Sequence, residues 1–185
     1  MWLHGIARKI AIAGMSPIPQ RAQTRDLDPG RFRFSVWQNV SITLWSGQAN
    51  MDAGQRILKL SREPREEFPQ GRSQVMIVCD GTPAPDDATT ELLREIYDPK
   101  RSGIVCIAAV LEGGGFWASG IRARMTNMRI AGGSAMSMRV QNTLEEVATW
   151  LPEEHAKRTG VQLDPELLSS VLNASRALGT HDAQG

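Results

Sequence analysis

No stretch of this chain is apolar over the ~20 residues that a helix needs to cross a bilayer, so no membrane span is expected. Cysteine is scarce. Cys79 and Cys106 are the two present, without a C-x-x-C pair or a cysteine–histidine cluster, which argues against a zinc site and a disulfide framework. Each lies in an apolar run, where a buried free thiol is the ordinary outcome, and a reducing cytoplasm fits that usage. Net charge is nearly absent as well. Lys and Arg number 21 against 20 Asp and Glu, a balance of +1 with no long block of either sign. Such a balance gives no electrostatic case for nucleic acid or a membrane surface. The three histidines, His4, His155 and His181, share no spacing, and none lies centrally to serve as a base. No nucleophile sits in a motif such as G-x-S-x-G. These gaps together predict a protein that is not an enzyme and uses no cofactor.

What is present reads as one α/β domain. The length of 185 residues and a 41% hydrophobic share suffice for one substantial core. Residues 1–30 read as a flexible extension, and Arg8 and Lys9 interrupt the apolar opening that a secretion signal would need. From 31 onward the pattern becomes periodic. Alternation over 32–36 and 40–44, with a turn at Asn39, predicts an antiparallel hairpin. A helix over 53–62 follows, capped by Asn50 or Asp52 and stopped by Pro64. The runs 74–79 and 104–111 are continuously apolar, as strands covered on both faces of a parallel sheet are. Helices are expected over 88–97, 116–130, 144–151 and 166–178, with a short strand at 136–140. Asp86 or Asp87, the box Thr143-x-x-Glu146 and the pair Asp164-Pro165 supply helix starts. Pro152 bends or ends its helix, and the domain is drawn as 31–151 with a helical extension and tail over 152–185.

The resulting order, β-β-α-β-α-β-α-β-α-α, closed by Thr143-Leu144-Glu145-Glu146-Val147-Ala148-Thr149-Trp150-Leu151, resembles the STAS domain. That is the fold of bacterial anti-sigma-factor antagonists and related regulatory modules. The resemblance covers about residues 32–151. It implies a mixed sheet with an N-terminal hairpin, helices packed on it, and a non-enzymatic module that docks onto a protein partner. In that family the loop after the first buried strand leads to a phosphorylatable serine beside an aspartate. The aligned stretch here runs from Asp80 to Thr90 and places Asp87-Ala88 at the serine position. The serine is not retained, and Thr89 and Thr90 are the nearest hydroxyls.

Several groups of residues compete for function. Asp80, Asp86, Asp87, Thr89 and Thr90 form a partner or switch surface on the resemblance, while Asp86 and Asp87 also serve simply as helix caps. Their spacing does not match a cation loop. Gly113, Gly114 and Gly115 lie between a strand and a helix, where backbone N–H groups can meet an anion. They equally make a plain connection. Arg122 and Arg129 share a helix face, as a solvated surface or a partner contact. Asp80 and Glu112 both end apolar strands and would form a carboxylate pair if they faced one crevice, the basis of a third and lesser reading as an enzyme. The last helix carries a stripe of Leu167, Leu168, Val171, Leu172 and Leu178 that must be covered by its own sheet or by a second copy, a homodimer. The leading expectation is a cytoplasmic STAS-like module working through protein contact. The alternative is a binder of small anions or nucleotides at the strand-end loops.

Overall fold

The computed structural model describes residues 23–28, 31–132 and 136–180. Within them six strands form one sheet in chain order: β1 (Gln23–Asp28), β2 (Phe32–Trp37), β3 (Val40–Trp45), β4 (Arg72–Val78), β5 (Ile104–Leu111) and β6 (Ser137–Gln141). β1, β2 and β3 pair antiparallel in succession, and β3 to β6 are parallel. The expected mixed α/β sheet is therefore present, hairpin first. Trp37 pairs with Val40, leaving Gln38 and Asn39 as a two-residue turn in which Gln38 takes a positive φ of 50°. Tight hairpins favour that twist. The two continuous apolar runs are adjacent, parallel and central, with Ile77, Ile107 and Ala108 fully buried.

Topology distributes the helices. The crossover from β3 to β4 is α1 (Met51–Glu67), that from β4 to β5 holds α2 (Asp87–Ile96) and α3 (Pro99–Ser102), and that from β5 to β6 is α4 (Gly115–Gly132). Each steps to the next strand in the same direction. Because such crossovers are right-handed, all four helices belong on one face. Ala53, Ile57, Leu93, Ile96 and Met125 accordingly share a core with Phe32, Phe34, Trp45, Met76 and Val78. The opposite face falls to α5 (Leu144–Thr159) and α6 (Pro165–Thr180), where Val147, Leu151, Leu168 and Leu172 meet Ile42, Leu44, Val75 and Ile77. The stripe of the last helix thus folds back on its own sheet. Leu168 and Leu172 keep no exposed surface, while Leu167 and Val171 stay half-buried.

Local chemistry explains the helix starts. Asp86 accepts a hydrogen bond from the Thr89 N–H at 2.7 Å, and Asp164 accepts from the N–H groups of Glu166 and Leu167 at 2.9 and 3.0 Å. Thr143 Oγ1 accepts from Glu146 N–H at 3.2 Å, and the Glu146 carboxylate returns to the Asn142 N–H at 2.9 Å.

The structure corrects three sequence expectations. Residues 23–28, placed in the flexible extension, form the edge strand β1, because β2 offers an unpaired edge for it to join. Pro64 does not stop α1, which runs on to Glu67 behind the anchored Ile57 and Leu60. Pro152, expected to bend or end its helix, does not end α5, so the boundary drawn at 151/152 falls inside that helix. Proline inside a helix costs about 3 kcal/mol, but Leu151 and His155 on either side are wholly buried and hold the turn in place. The short α3 had no sequence signal.

Candidate functional site

The loop after β4 begins with a turn at Asp80-Gly81, where Gly81 takes φ 72°. Thr82 pins it to the sheet. Its hydroxyl lies 2.7 Å from the Cys79 carbonyl and 3.0 Å from that of Trp45. Pro83 and Pro85 keep the chain extended up to Asp86. The capping bond from Thr89 holds the Asp86 carboxyl below its ordinary range. Thr89 is fully buried behind that cap.

α2 leans on α1 rather than on the strands beneath it. Its ten residues span about 15 Å. The β4 and β5 strands it crosses, seven and eight residues long, span about 23–26 Å. The shortfall leaves a cavity of about 450 Å³ between α2, α4 and the sheet. Trp45, Met76 and Val78 line it from the sheet, Leu93 and Tyr97 from α2 and its C-cap, and Ile121 and Met125 from α4. Exposed Pro83, Asp87 and Arg94 lie at its mouth. Arg94 is already bonded to Glu91 at 2.7 Å.

The walls are mostly apolar; apart from the bonded Thr82 and the mouth residues Asp87 and Arg94, three polar groups line the interior. Trp45 Nε1, Thr90 Oγ1 and the Tyr97 hydroxyl are buried with no partner at hydrogen-bonding geometry. Buried polar groups in folded proteins are nearly always satisfied, and an unsatisfied one costs about 1–3 kcal/mol. Burial also pushes the Tyr97 phenol upward, against smaller opposing effects of the nearby Arg72 cation and of an approach by the Thr43 hydroxyl that falls short of full hydrogen-bond geometry.

Beyond the Tyr97 end lies a polar seam in the sheet. Arg72 is 1% exposed. Its Nε donates to the Ser102 carbonyl at 3.2 Å and its Nη1 to Ser41 Oγ at 2.8 Å, while Nη2 has no partner. Gln74 Nε2 donates to Thr43 Oγ1 at 3.2 Å beside it. No carboxylate forms an ion pair with Arg72 among the described residues. Burial brings its guanidinium down to about 10, so it stays a cation at neutral pH.

The other expected groupings resolve differently. Asp80 packs against Gly113, whose φ of 103° and missing side chain make room for the carboxylate. Glu112 turns instead to Arg176 of α6 and bonds to it. Asp80 and Glu112 therefore have separate partners, and an anion resting on Gly113, Gly114 and Gly115 would sit among carboxylates. Half-buried Cys79 lies near Glu112, and burial first, then that charge, pushes its thiol up to about 11. Burial raises Cys106 to about 11 also, and both cysteines are free. Arg122 Nη2 donates to Asn142 Oδ1 at 2.7 Å. The Arg129 side chain, like those of Phe116, Trp117 and Arg124, lies outside the described residues.

Comparison with protein-family models, curated proteins and solved structures finds no match.

The site therefore stands on its own geometry. Among the described residues no group of three or more His, Cys, Asp and Glu side chains could hold a metal ion, and no helix is long and apolar enough to cross a membrane. Of the residues singled out from sequence, Asp87 and Thr90 line the cavity; Asp80 and Asp86 are engaged by Gly113 and the α2 cap, and Thr89 is buried. Trp45, Tyr97 and Arg72 escaped sequence reasoning. A signal existed for Arg72, a charged residue entering a strand covered on both faces. Tyr97, the single tyrosine of the chain, looked like an ordinary helix end. Also missed was His155, far from central in sequence yet buried under β4 with Nδ1 2.7 Å from Ser73 Oγ.

Proposed function

We propose that this chain is a non-enzymatic, STAS-like binding module that takes a small, mostly apolar molecule behind α2. It presents the consequence to a protein partner through the loop 80–86 and the outer face of α2. The carrying observation is the cavity of about 450 Å³, in the size range of small-molecule sites, with three unpartnered polar groups among apolar walls. Its position supports the reading, since open α/β sheets take ligands beyond the carboxyl ends of their strands. Trp45 and Val78 are the last residues of β3 and β4. The mechanism is mechanical. α2 bridges the cavity between a proline-containing loop and Tyr97, so filling the space changes how α2 is held, and a partner reading Asp87, Glu91 and Arg94 meets a different surface.

Thermal denaturation with a panel of apolar small molecules tests the binding step. A ligand at one hundred times its Kd adds ~2.7 kcal/mol, which for a chain of this size raises Tm by roughly 5–10 °C. Met125→Trp, which fills the cavity from α4, should abolish that rise, and Ala49→Leu should reduce it. A panel that leaves Tm unmoved, or a rise that survives Met125→Trp in the folded variant, would defeat the reading.

A further inference from the structure

We propose that the molecule taken into this cavity is a carboxylate with an apolar body, its head group at the Tyr97 end beside buried Arg72 and its body against Met76, Val78, Leu93 and Met125. The proposal rests on the binding reading above and assigns the ligand its chemistry.

Three observations lead to it. First, the spare polar groups can all donate. Trp45 Nε1 is a donor only, and the hydroxyls of Thr90 and Tyr97 donate to any acceptor placed before them. Trp45 Nε1 therefore calls for an acceptor atom, and an acceptor oxygen serves the two hydroxyls as well. Second, a positive charge waits behind the Tyr97 end. Arg72 is buried with one unpartnered nitrogen and no ion pair among the described residues, on the same sheet face as Thr43, which lies against Tyr97. A desolvated cation interacts with a nearby charge far more strongly than one in water. It favours an anion at this end and repels an amine. Third, the mouth holds no rival anion site. Asp87 stands there as a like charge, and Arg94 is engaged by Glu91. An incoming acid is drawn inward to Tyr97.

The small number of donors narrows the class further. A phosphate dianion would leave much of its charge unmatched among three donors, and burying unmatched charge is expensive. A monoanionic carboxylate has two oxygens to satisfy. Tyr97 O–H would reach one directly, with Arg72 behind it as a source of positive potential.

The test uses the full chain and matched probes: decanoate with decanol and decylamine, and 1-naphthylacetate with 1-naphthaleneethanol, titrated calorimetrically at pH 7. In at least one matched set the acid should bind about tenfold or more tighter than the alcohol, the scale of a hydrogen bond to a charged group, and the amine more weakly than either. Tyr97→Phe should remove most of the acid's advantage and leave the alcohol's affinity unchanged. Arg72→Met should erase the advantage altogether. Because that variant removes a buried side chain and could fail to fold, a second measurement stands beside it: the carboxyl ¹³C shift of labelled probe acid bound to the unaltered protein. That carbon should remain ionised to lower pH than in free acid. Alcohols binding as tightly as their acids, with both lost in Met125→Trp, would overturn the carboxylate assignment and leave the cavity a binding site. Failure of every probe to bind would overturn the binding reading itself.

Discussion

Beneath α5 and α6 the sheet presents Val40, Ile42, Leu44, Val75, Ile77 and Val110 to Leu151, Leu168 and Leu172, and most of these side chains lose all contact with solvent. Beneath α1 to α4 the same strands present Ser41, Thr43, Arg72 and Gln74 at one end and Trp45, Met76 and Val78 at the other, with a cavity above the latter. The difference follows from how each set of helices is tethered. A crossover helix is tied at both ends to strands whose positions the sheet dictates, so it covers what its length allows. Ten-residue α2 falls short. α5 and α6 follow the last strand and meet no such constraint. They settle where aliphatic surface is deepest. One face is thereby closely packed, with His155 Nε2 its unpartnered polar atom under α5, and the other combines unpartnered polar groups with open space, the raw material of a binding site.

The largest expected contrast comes from equal truncations on the two faces. Leu168→Ala removes a wholly buried side chain from close packing and should destabilise the protein by about 2–5 kcal/mol. Leu93→Ala merely enlarges an existing cavity, and its cost should fall at or below the low end of that range. Urea denaturation of both variants measures the pair, and equal losses would break the comparison.

A second contrast is in pH. His155, buried between α5 and β4, has its imidazole pushed down to about 4 by burial. Unfolded, it titrates near 6.5, so the unfolded chain takes up the proton first as pH falls. The stability contributed by neutral His155 is fully present above about pH 6.5 and is lost as pH drops toward 4, to a total of about 3 kcal/mol. The carboxyls of Asp86 and Glu154, held below their ordinary range by hydrogen bonds, lose their contributions only at lower pH still. Denaturation of His155→Gln from pH 7 to 4 should show the slope flattened in that window. An unchanged slope would place the acid sensitivity elsewhere.

The smallest effect concerns the helix that seals the aliphatic face. Thr143→Ala removes the α5 cap and should cost about 1 kcal/mol. Because α5 lies across the sheet from the cavity, ligand affinity should stay as it was. A matching loss of affinity would show that the two faces are not independent.

What could be read ahead of the structure was local or periodic. The alternation over 32–36 and 40–44 placed the hairpin, since each side chain's face is decided by its neighbour two residues away. Continuous runs around Ile77 and Ile107 placed central strands, since such runs need cover on both sides. Asp86, Thr143 and Asp164 announced helix starts because their bonds close within three residues. The candidate site was half visible. Asp87 and Thr90 came from the loop position alone. Trp45 and Tyr97, 52 positions apart, become neighbours around one cavity only through the β3–β4 pairing and the placement of α2. β1 failed for the same reason, having little apolar pattern of its own and depending on β2 for its bonds. Pro64 was judged by backbone chemistry alone, while tertiary burial decided how far its helix runs.

By itself, then, the order of residues determined the α/β class, the hairpin, the two buried central strands and most helix starts, because those depend on periodicity and on hydrogen bonds between near neighbours. The tertiary structure alone decided which face each helix covers, that the last helix closes on its own sheet, and that a short helix leaves room beside a buried arginine. Those outcomes depend on strand order, crossover handedness and the fit of lengths in space, quantities that no local stretch of sequence contains.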